Sequence, residues 1–234
     1  MPTPNPICVA LDTPDLSRAV ALSRALKGLV GYMKLGLEFY YAHGTKGYEA
    51  VAAEGLPIFL DLKLHDIPNT VAEGLRSLAR LQPSPAIINV HAAGGLEMMK
   101  AARRSVGPQT KLIAVTILTS LSDADIWSVG FNQSETTAGH TLTLAKLAHA
   151  AALDGVVCSP QDLNGIRQAL PKDFLTVVPG IRPAGAATHD QKRIATPTWA
   201  IAAGADILVI GRAITGSPDP VAAAQKILDE LSHG

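Results

Sequence analysis

The sequence of 234 residues contains few cysteines and few aromatic residues, and each shortage excludes some kinds of site or core. It has two cysteines, Cys8 and Cys158, and both lie in apolar, strand-like runs, so we expect neither a disulfide framework nor a cysteine metal site. We interpret them as buried thiols of a reducing cytoplasm. Aromatic residues make up only 4% of the chain, so its core must be built from Ala, Val, Ile and Leu.

The chain also lacks an excess of either charge and lacks long hydrophobic runs. Lys and Arg number 20 and Asp and Glu number 20, which leaves no basic field to favour nucleic acid or an anionic membrane. No apolar run approaches the roughly 20 residues of a membrane span. Residues 1–6 have neither the charged nor the apolar region of a signal peptide. We predict a cytoplasmic protein that binds neither nucleic acid nor membranes, in which any phosphate recognition is local.

Metal and cofactor motifs are absent as well. The 7 histidines have no metal-ligand spacing, and no histidine–carboxylate trio resembles a zinc or iron site. We interpret His91, which follows Asn89 on a strand-like run, as a core histidine near the floor of the fold. We therefore predict no metal and no organic cofactor.

What the sequence does contain is a short apolar run that recurs eight times, each time followed by a helical segment. This alternation predicts parallel strands joined by helices, and eight such units predict a single-domain (β/α)8 (TIM) barrel over residues 1–234. A doubly wound open sheet is the rival fold, disfavoured because Leu11–Pro14 replaces a G-x-G-x-x-G motif after the first run. Residues 120–134 form a polar insertion of unassigned role. The predicted strands are 7–11, 32–36, 58–63, 86–91, 112–119, 155–158, 175–180 and 207–212.

The third run ends in an unusual concentration of charge. Alternation along a strand places Asp61 and Lys63 on one face, and Asp66 follows just beyond the strand. Lys34 ends the neighbouring second strand about 4.8 Å away, so these groups can form an alternating chain of cations and anions. Nearby carboxylates keep a buried lysine protonated, and a positioned ammonium can act as a general acid toward a carbanion. A structural ion pair is the alternative interpretation.

The loops after the seventh and eighth strands have the composition of a phosphate site. In TIM barrels phosphate commonly binds at these two loops, near a helix N-terminus. The loop from Arg182 to Arg193 is long for this connection, which predicts a lid, although Lys192 and Arg193 also fit a solvated loop face. At the first strand, Asp12 fits a helix cap or a ligand contact equally well. The candidate phosphate ligands are Gly180, Arg182, Gln191, Gly211 and Arg212.

The segment from Asp61 to Thr70, Asp-Leu-Lys-Leu-His-Asp-Ile-Pro-Asn-Thr, resembles the signature of the orotidine 5′-phosphate decarboxylase family. This decapeptide is highly specific, and the resemblance runs the length of the chain. The other matching segments are individually modest but hard to obtain jointly by chance. They are residues 9–12, 34–36, 115–120, 179–182, 190–193 and 211–212.

The resemblance implies an enzyme that converts orotidine 5′-monophosphate (OMP) to uridine 5′-monophosphate (UMP) and CO2 without metal or cofactor, the last step of de novo UMP synthesis. It implies that Lys63 protonates C6 of the pyrimidine, with Asp61 and Lys34 completing the charge network. It further implies a homodimer in which Asp66, Ile67 and Thr70 reach the partner's site. The remaining implied contacts are Asp12 and Lys34 to the ribose, Thr119 near the pyrimidine, and Arg182, Gln191, Gly211 and Arg212 to the phosphate.

Two rival functions remain open. Magnesium-dependent phosphosugar enzymes, such as 3-keto-gulonate-phosphate decarboxylase and hexulose-phosphate synthase, share the Asp-x-Lys-x-x-Asp strand but carry an acidic residue where Lys34 stands. A lysine at that position would repel a divalent ion. The other rival is a barrel that only binds a nucleotide or a partner protein, against which the intact Asp61, Lys63 and Asp66 set argues.

Overall fold

Eight parallel strands close into a barrel in the order of the sequence, β1-β2-β3-β4-β5-β6-β7-β8, with β8 paired to β1. This computed structural model describes residues 5–183 and 195–233. The prediction of a (β/α)8 barrel is confirmed. The strands are β1 (Ile7–Ala10), β2 (Tyr32–Leu35), β3 (Ile58–Leu64), β4 (Ile87–His91), β5 (Lys111–Val115), β6 (Gly155–Val157), β7 (Leu175–Val178) and β8 (Ile207–Ile210).

Helices follow the strands and surround the barrel. Asp15 caps α1 by accepting the Arg18 N–H at 3.0 Å. No helix in the described part of the chain is long and apolar enough to cross a membrane. The helices are α1 (Leu16–Ala25), α2 (Leu37–Ala52), α3 (Pro68–Leu78), α4 (Leu96–Arg104), α5 (Asp123–Ser128), α6 (Thr137–Ala150), α7 (Leu163–Ala169), α8 (Pro197–Ala202), α9 (Arg212–Thr215) and α10 (Pro220–His233).

Seven of the eight strands end one to four residues from the predicted position, and the differences at β5 and β8 affect predicted site residues. β5 ends at Val115 and not at residue 119, because the N–H and the hydroxyl of Thr116 both donate to the Val157 carbonyl and the chain then leaves the ladder. β8 ends at Ile210, and Gly211 begins the short helix α9. Both corrections move predicted site residues from strands into the loops at the barrel mouth.

The polar insertion at residues 120–134 contains a helix that the sequence interpretation missed. Ser122 and Asp125 form a capping box, in which each side chain accepts the other residue's backbone N–H. The Ser-x-x-Asp spacing was visible in the sequence, but the absence of a clear apolar period hid the helix. Buried Ile126 anchors this short element to the core.

The core has two layers, one inside the barrel and one between the barrel and its helices. Cys8 lies among the interior side chains and Cys158 lies in the outer layer. Both thiols are buried and no disulfide joins them, so the interpretation of the cysteines as small buried hydrophobes is confirmed. Burial raises the pKa of the Cys8 thiol, which keeps it protonated and inert. The interior layer is Cys8, Ala10, Phe59, Ile87, Ile113, Val177, Ile207 and Val209.

Two carboxylates at the amino-terminal end of the barrel organise the strand starts. Asp154 Oδ2 accepts the Leu112 N–H at 2.8 Å and pairs with Arg103, while Asp206 Oδ2 accepts the Thr176 N–H at 2.7 Å and pairs with Arg167. These carboxylates satisfy strand N–H groups that would otherwise lack partners at the end of the ladder. These two carboxylates therefore have a structural role. The candidate site lies at the opposite mouth of the barrel.

Candidate active site

The end of β3 is irregular where the signature begins. The pairing of β3 with β4 shifts register between Leu60 and Leu64, and Lys63 adopts a φ of 53°. A left-handed backbone at a residue other than glycine is uncommon and is found most often at functional sites. The simple strand alternation expected from the sequence therefore breaks at Lys63. The irregular backbone nevertheless leaves Asp61 and Lys63 in direct contact.

Asp61 joins the two lysines into one array. Its Oδ1 lies 2.7 Å from Lys63 Nζ, and its Oδ2 lies 3.2 Å from Lys34 Nζ. Lys34 also lies 3.2 Å from Asp12 Oδ1. The structure thus brings together four of the predicted residues, Asp12, Lys34, Asp61 and Lys63, as an alternating chain of anions and cations.

The array holds its charges despite burial, since Lys34 and Asp61 are each only 8% exposed. Burial alone would lower the pKa of Lys34, but Asp61 and Asp12 outweigh it and the pKa of Lys34 is raised. Burial alone would raise the pKa of Asp61, but Lys34 and Lys63 outweigh it and the pKa of Asp61 is lowered. Each pKa shift favours the charged form of its group, so Lys34 and Asp61 both remain ionised at physiological pH.

Gly36 preserves the space around the first part of the array. A Cβ at this position would lie 3.1 Å from Lys34 Nζ and 3.3 Å from Asp12 Oδ1. Both contacts are tighter than usual, so a side chain here would push the ion pair apart. The glycine belongs to one of the matching segments in the sequence, although no role was assigned to it there.

Asn89 is a site residue that the sequence interpretation left without a role. It is 0% exposed, its Nδ2 donates to Asp61 Oδ1 at 2.7 Å, and its Oδ1 accepts the Lys63 N–H at 2.8 Å. The available signal was an amide inside the apolar β4 run, adjacent to the strand that carries the signature. The amide belongs to the array because it contacts both Asp61 and Lys63.

His91 does not lie near the barrel floor, so that interpretation was wrong. It ends β4 at the barrel mouth, is partly exposed, and its ring centroid lies 5.4 Å from that of His65. Partial burial, reinforced by His65 and Lys63, lowers the pKa of His91. His91 is therefore a neutral imidazole beside the array at neutral pH.

A cavity of about 260 Å³ opens above the array at the carboxyl ends of the strands. Its size is near the lower end of small-molecule sites, which run from roughly 300 to 1,000 Å³. Its lining combines charged side chains with apolar strand residues. The described residues that line it are Ala10, Asp12, Lys34, Phe59, Asp61, Lys63, Val115, Ile117, Leu118, Thr119, Val157, Pro179, Gly180, Arg182, Val209, Gly211 and Arg212.

Two arginines line the same cavity. Arg182 is 8% exposed; its Nη1 donates to the Ile181 carbonyl, while its Nε has no hydrogen-bond partner among the described residues. Burial and the nearby charge of Arg212 lower the pKa of Arg182. A buried guanidinium with an unused donor, close to a second cation, is the environment that an anion would stabilise.

The backbone near these arginines also suits an anion. The chain leaves β7 through Gly180 with a φ of 78°, and the base of the following loop is tied by an Ile181–Ala195 bridge. A Cβ at Gly211 would lie 3.6 Å from Ala10 Cβ, which is an ordinary van der Waals distance. Packing within the protein therefore does not require a glycine at this position. The predicted ligand Gln191 lies outside the described residues, as do Lys192 and Arg193.

The remaining predicted residues lie on the rim. Thr119 lines the cavity from the turn after β5. Asp66, Ile67 and Thr70 are exposed, and Ile67 is 66% exposed. Asp66 Oδ1 accepts the Ile67 N–H at 2.7 Å, within its own loop, and the ion pairs of the array do not include Asp66. The expectation that these three residues reach the site of a partner subunit stays a prediction.

Comparison with known proteins identifies the family of this chain. Residues 5–227 match the model of the "Orotidine 5'-phosphate decarboxylase / HUMPS family". The chain belongs to the orotidine 5′-phosphate decarboxylase family. The resemblance drawn from the signature, and the prediction of an enzyme that it carried, are thereby confirmed.

Individual members of the family are similar over nearly their whole length. Proteins named orotidine 5′-phosphate decarboxylase from Novosphingobium aromaticivorans and Sphingopyxis alaskensis are 52% and 50% identical to this chain, over 95% of it and 97% of theirs. The crystal structure of orotidine 5′-phosphate decarboxylase from Lactobacillus acidophilus has a TM-score of 0.83 at 36% identity, covering 97% of this chain and 99% of that one. The family's fold and this chain's fold are the same barrel.

Among the residues that the structure describes, no three His, Cys, Asp or Glu side chains are grouped so that they could hold a metal ion. At the barrel mouth, both carboxylates of the array are already paired with lysines. A divalent cation placed on Asp61 would have to displace these two ammonium groups. The described donor set at this mouth therefore does not fit a resident metal.

Proposed function

We propose that this enzyme decarboxylates OMP to UMP and CO2, the last step of de novo UMP synthesis, with Lys63 as the proton donor to C6. The observation that carries the proposal is the placement of the Lys34–Asp61–Lys63 array and the Arg182–Arg212 pair in one cavity. A nucleotide has a reacting base at one end and a phosphate at the other. The family and the names of its members support OMP as the substrate.

In the proposed reaction, the bond between C6 and the carboxylate breaks and CO2 leaves. The electron pair stays on C6, which takes a proton from the Lys63 ammonium, and the neutral amine is reprotonated from solvent. Fixed charges accelerate the step when they suit the carbanion better than the ground state. Lys34 and Asp61 form an ion pair that keeps both groups charged. This fixed pair holds Lys63 in place, so the site does not have to reorganise during the reaction.

The phosphate is remote from the reacting carbon, and its binding energy can align the ring above Lys63. We assign it to Arg182, Gly211 and Arg212, with Gln191 from the loop beyond the described residues. Asp12 and Lys34 would contact the ribose, and Thr119 would lie near the pyrimidine. The unused Arg182 Nε is the strongest support for an anion at this end of the cavity.

We further propose a homodimer with shared sites. Three exposed residues follow β3 at the edge of the cavity mouth: Asp66, Ile67 and Thr70. The ion pairs of the array in their own chain do not include them. Ile67 is a large apolar side chain exposed to solvent, which suits an interface better than a free surface. A two-fold axis beside this edge would carry each Asp66 into the partner's site.

The compartment that we propose is the cytoplasm. Cys8 and Cys158 are each fully buried and no disulfide joins them, which suits a reducing environment. The family's step in nucleotide synthesis agrees with this assignment.

The direct test is a spectrophotometric assay with OMP, run with and without exhaustive chelation. We expect turnover of OMP to UMP that a chelator leaves unchanged, because Lys34 occupies the position where the magnesium-dependent relatives carry an acidic residue. Turnover that stops on chelation and returns with Mg²⁺ would favour those phosphosugar enzymes. Stoichiometric binding of UMP with no turnover would favour the binding-only barrel.

The phosphate assignment is tested by Arg212→Ala. Loss of one charged hydrogen-bonding partner is worth about 1.5–3 kcal/mol, so kcat/KM for OMP should fall about 10- to 100-fold. The unphosphorylated nucleoside orotidine should be turned over at its own low rate, unchanged by the substitution. Arg104→Ala, an exposed arginine at the end of α4, is the matched control and should leave both substrates unaffected. Equal losses with OMP and orotidine would remove Arg212 from the phosphate site.

A further inference from the structure

Asn89 connects the two central residues of the array through both ends of its amide. We propose that Asn89 is a positioning residue that sets the orientation of the Asp61 carboxylate and the backbone of Lys63 for proton transfer. The proposal rests on the proposed role of Lys63. Asn89 is fully buried on β4 and is absent from the lining of the cavity, so it acts through Asp61 and Lys63 and not on the ligand.

The backbone of Lys63 needs a hydrogen-bond acceptor that the sheet does not provide. The register shift between Leu60 and Leu64 removes Lys63 from the β3–β4 ladder. Asn89 Oδ1 takes the place of a strand carbonyl and accepts the Lys63 N–H at 2.8 Å. A left-handed conformation is unfavourable for a residue other than glycine and persists only where its surroundings impose it. The Asn89 carbonyl is one such constraint, and it determines where the lysine side chain begins.

The Asp61 carboxylate is held by the other end of the same amide. Its Oδ1 accepts from Asn89 Nδ2 and from Lys63 Nζ, each at 2.7 Å, and its Oδ2 faces Lys34 at 3.2 Å. With three donors on two oxygens, the carboxylate plane has one favourable orientation. Asn89 is the one neutral donor of the three, so it constrains the carboxylate without adding charge to the array.

Only an amide satisfies both contacts at once. The N–H of Lys63 requires an acceptor and the carboxylate of Asp61 requires a donor, which determines the orientation of the Asn89 side chain. The reversed amide would place its NH₂ group against an N–H and its oxygen against a carboxylate. An aliphatic side chain of the same size would satisfy neither partner and would leave a buried N–H without an acceptor.

The test compares Asn89→Leu, which keeps the volume, with Asn89→Ala, which stands in if the leucine does not fold. A misplaced reacting group costs about 100-fold, so kcat for OMP should fall about 100-fold in either variant. KM should change less than about threefold, because the phosphate contacts lie elsewhere in the cavity. Circular dichroism and thermal unfolding would establish that the variants are folded.

Asn5→Leu is the matched control. Asn5 makes the same pair of bonds at the opposite end of the barrel, donating to the Leu29 carbonyl at 2.9 Å and accepting the Ile7 N–H at 3.0 Å. This variant should lose stability but keep its kcat. A kcat in the folded Asn89 variants as high as in Asn5→Leu, or a rise in KM that accounts for the whole loss, would overturn the positioning role.

The proposed function fails separately, if the unmodified enzyme does not turn over OMP or if Lys63→Ala is fully active. Either result would also overturn the positioning role, because that role depends on Lys63 as the proton donor. The Asn89 variants are therefore compared with an active parent that depends on Lys63.

Discussion

Replacement of Lys63 by alanine should lower kcat for OMP by about 10,000-fold or more, because it removes the proton donor and one charge of the preorganised array together. The binding of UMP should weaken far less, since the phosphate contacts remain. Steady-state assay of the purified variant gives the first quantity and calorimetric titration with UMP gives the second.

The Lys63→Ala protein should remain folded, for a reason visible in the array. Asp61 would keep Lys34 at 3.2 Å and Asn89 at 2.7 Å, so no buried charge would be left alone. Lys111→Ala is the matched control, because this lysine pairs with Asp154 at the opposite end of the barrel. Near-normal kcat is expected there. Undiminished turnover in Lys63→Ala would falsify the proton-donor role.

Microscopic reversibility supplies a second measurement of the same residue. If Lys63 protonates C6, its neutral amine must also be able to remove the C6 proton of bound UMP. In D₂O the enzyme should therefore catalyse slow exchange of this hydrogen for deuterium, followed by NMR, and Lys63→Ala should not. Equal exchange by both proteins would assign the proton transfer to another group.

Mixing inactive Asp66→Ala and Lys63→Ala subunits should restore about one quarter of normal activity if two sites are shared across a two-fold interface. Random reassociation makes half of the dimers heterodimers. In each heterodimer, one site combines the intact Lys63 of one chain with the intact Asp66 of the other, and the second site lacks both. Each single variant should be at least about 100-fold less active than the parent.

The reverse experiment uses the parent enzyme and the Asp66→Ala, Lys63→Ala double variant. Sharing predicts that excess double variant abolishes the parent's activity after subunit exchange, because every parent site then receives an altered Asp66 position. A site built within one chain predicts no inhibition. No recovery in a confirmed heterodimer of the single variants, or no inhibition in this mixture, would remove Asp66 from the partner's site.

Much of the candidate site could be placed from the sequence because a barrel collects the carboxyl ends of its strands at one mouth. Asp12, Lys34, Asp61 and Lys63 each end or follow a strand, and the structure joins them in one array. The arginines after β7 and β8 line the same cavity. Asp66 marks where this reasoning stops, because it closely follows β3 and yet the ion pairs of the array in its own chain do not include it.

Asn89 and His91 show the opposite limit. Both lie on β4, and the end of the predicted strand at His91 should have placed that residue at the mouth, whereas the sequence offered no means to tell that Asn89 contacts Asp61 and Lys63. The Asn89 contacts depend on the register between β3 and β4, and the register shifts next to Lys63. Local pattern does not encode such a shift, because it results from how neighbouring strands meet when the barrel closes.

The order of strands and helices, the aliphatic core and the family signature were determined by the sequence alone, since alternation of apolar runs and a specific decapeptide are properties of the linear chain. The tertiary structure decided which atoms touch: the left-handed Lys63, the two-ended amide of Asn89, and the buried Arg182 Nε without a partner among the described residues. Those contacts join residues that are far apart in the chain, and strand register and barrel closure determine their distances.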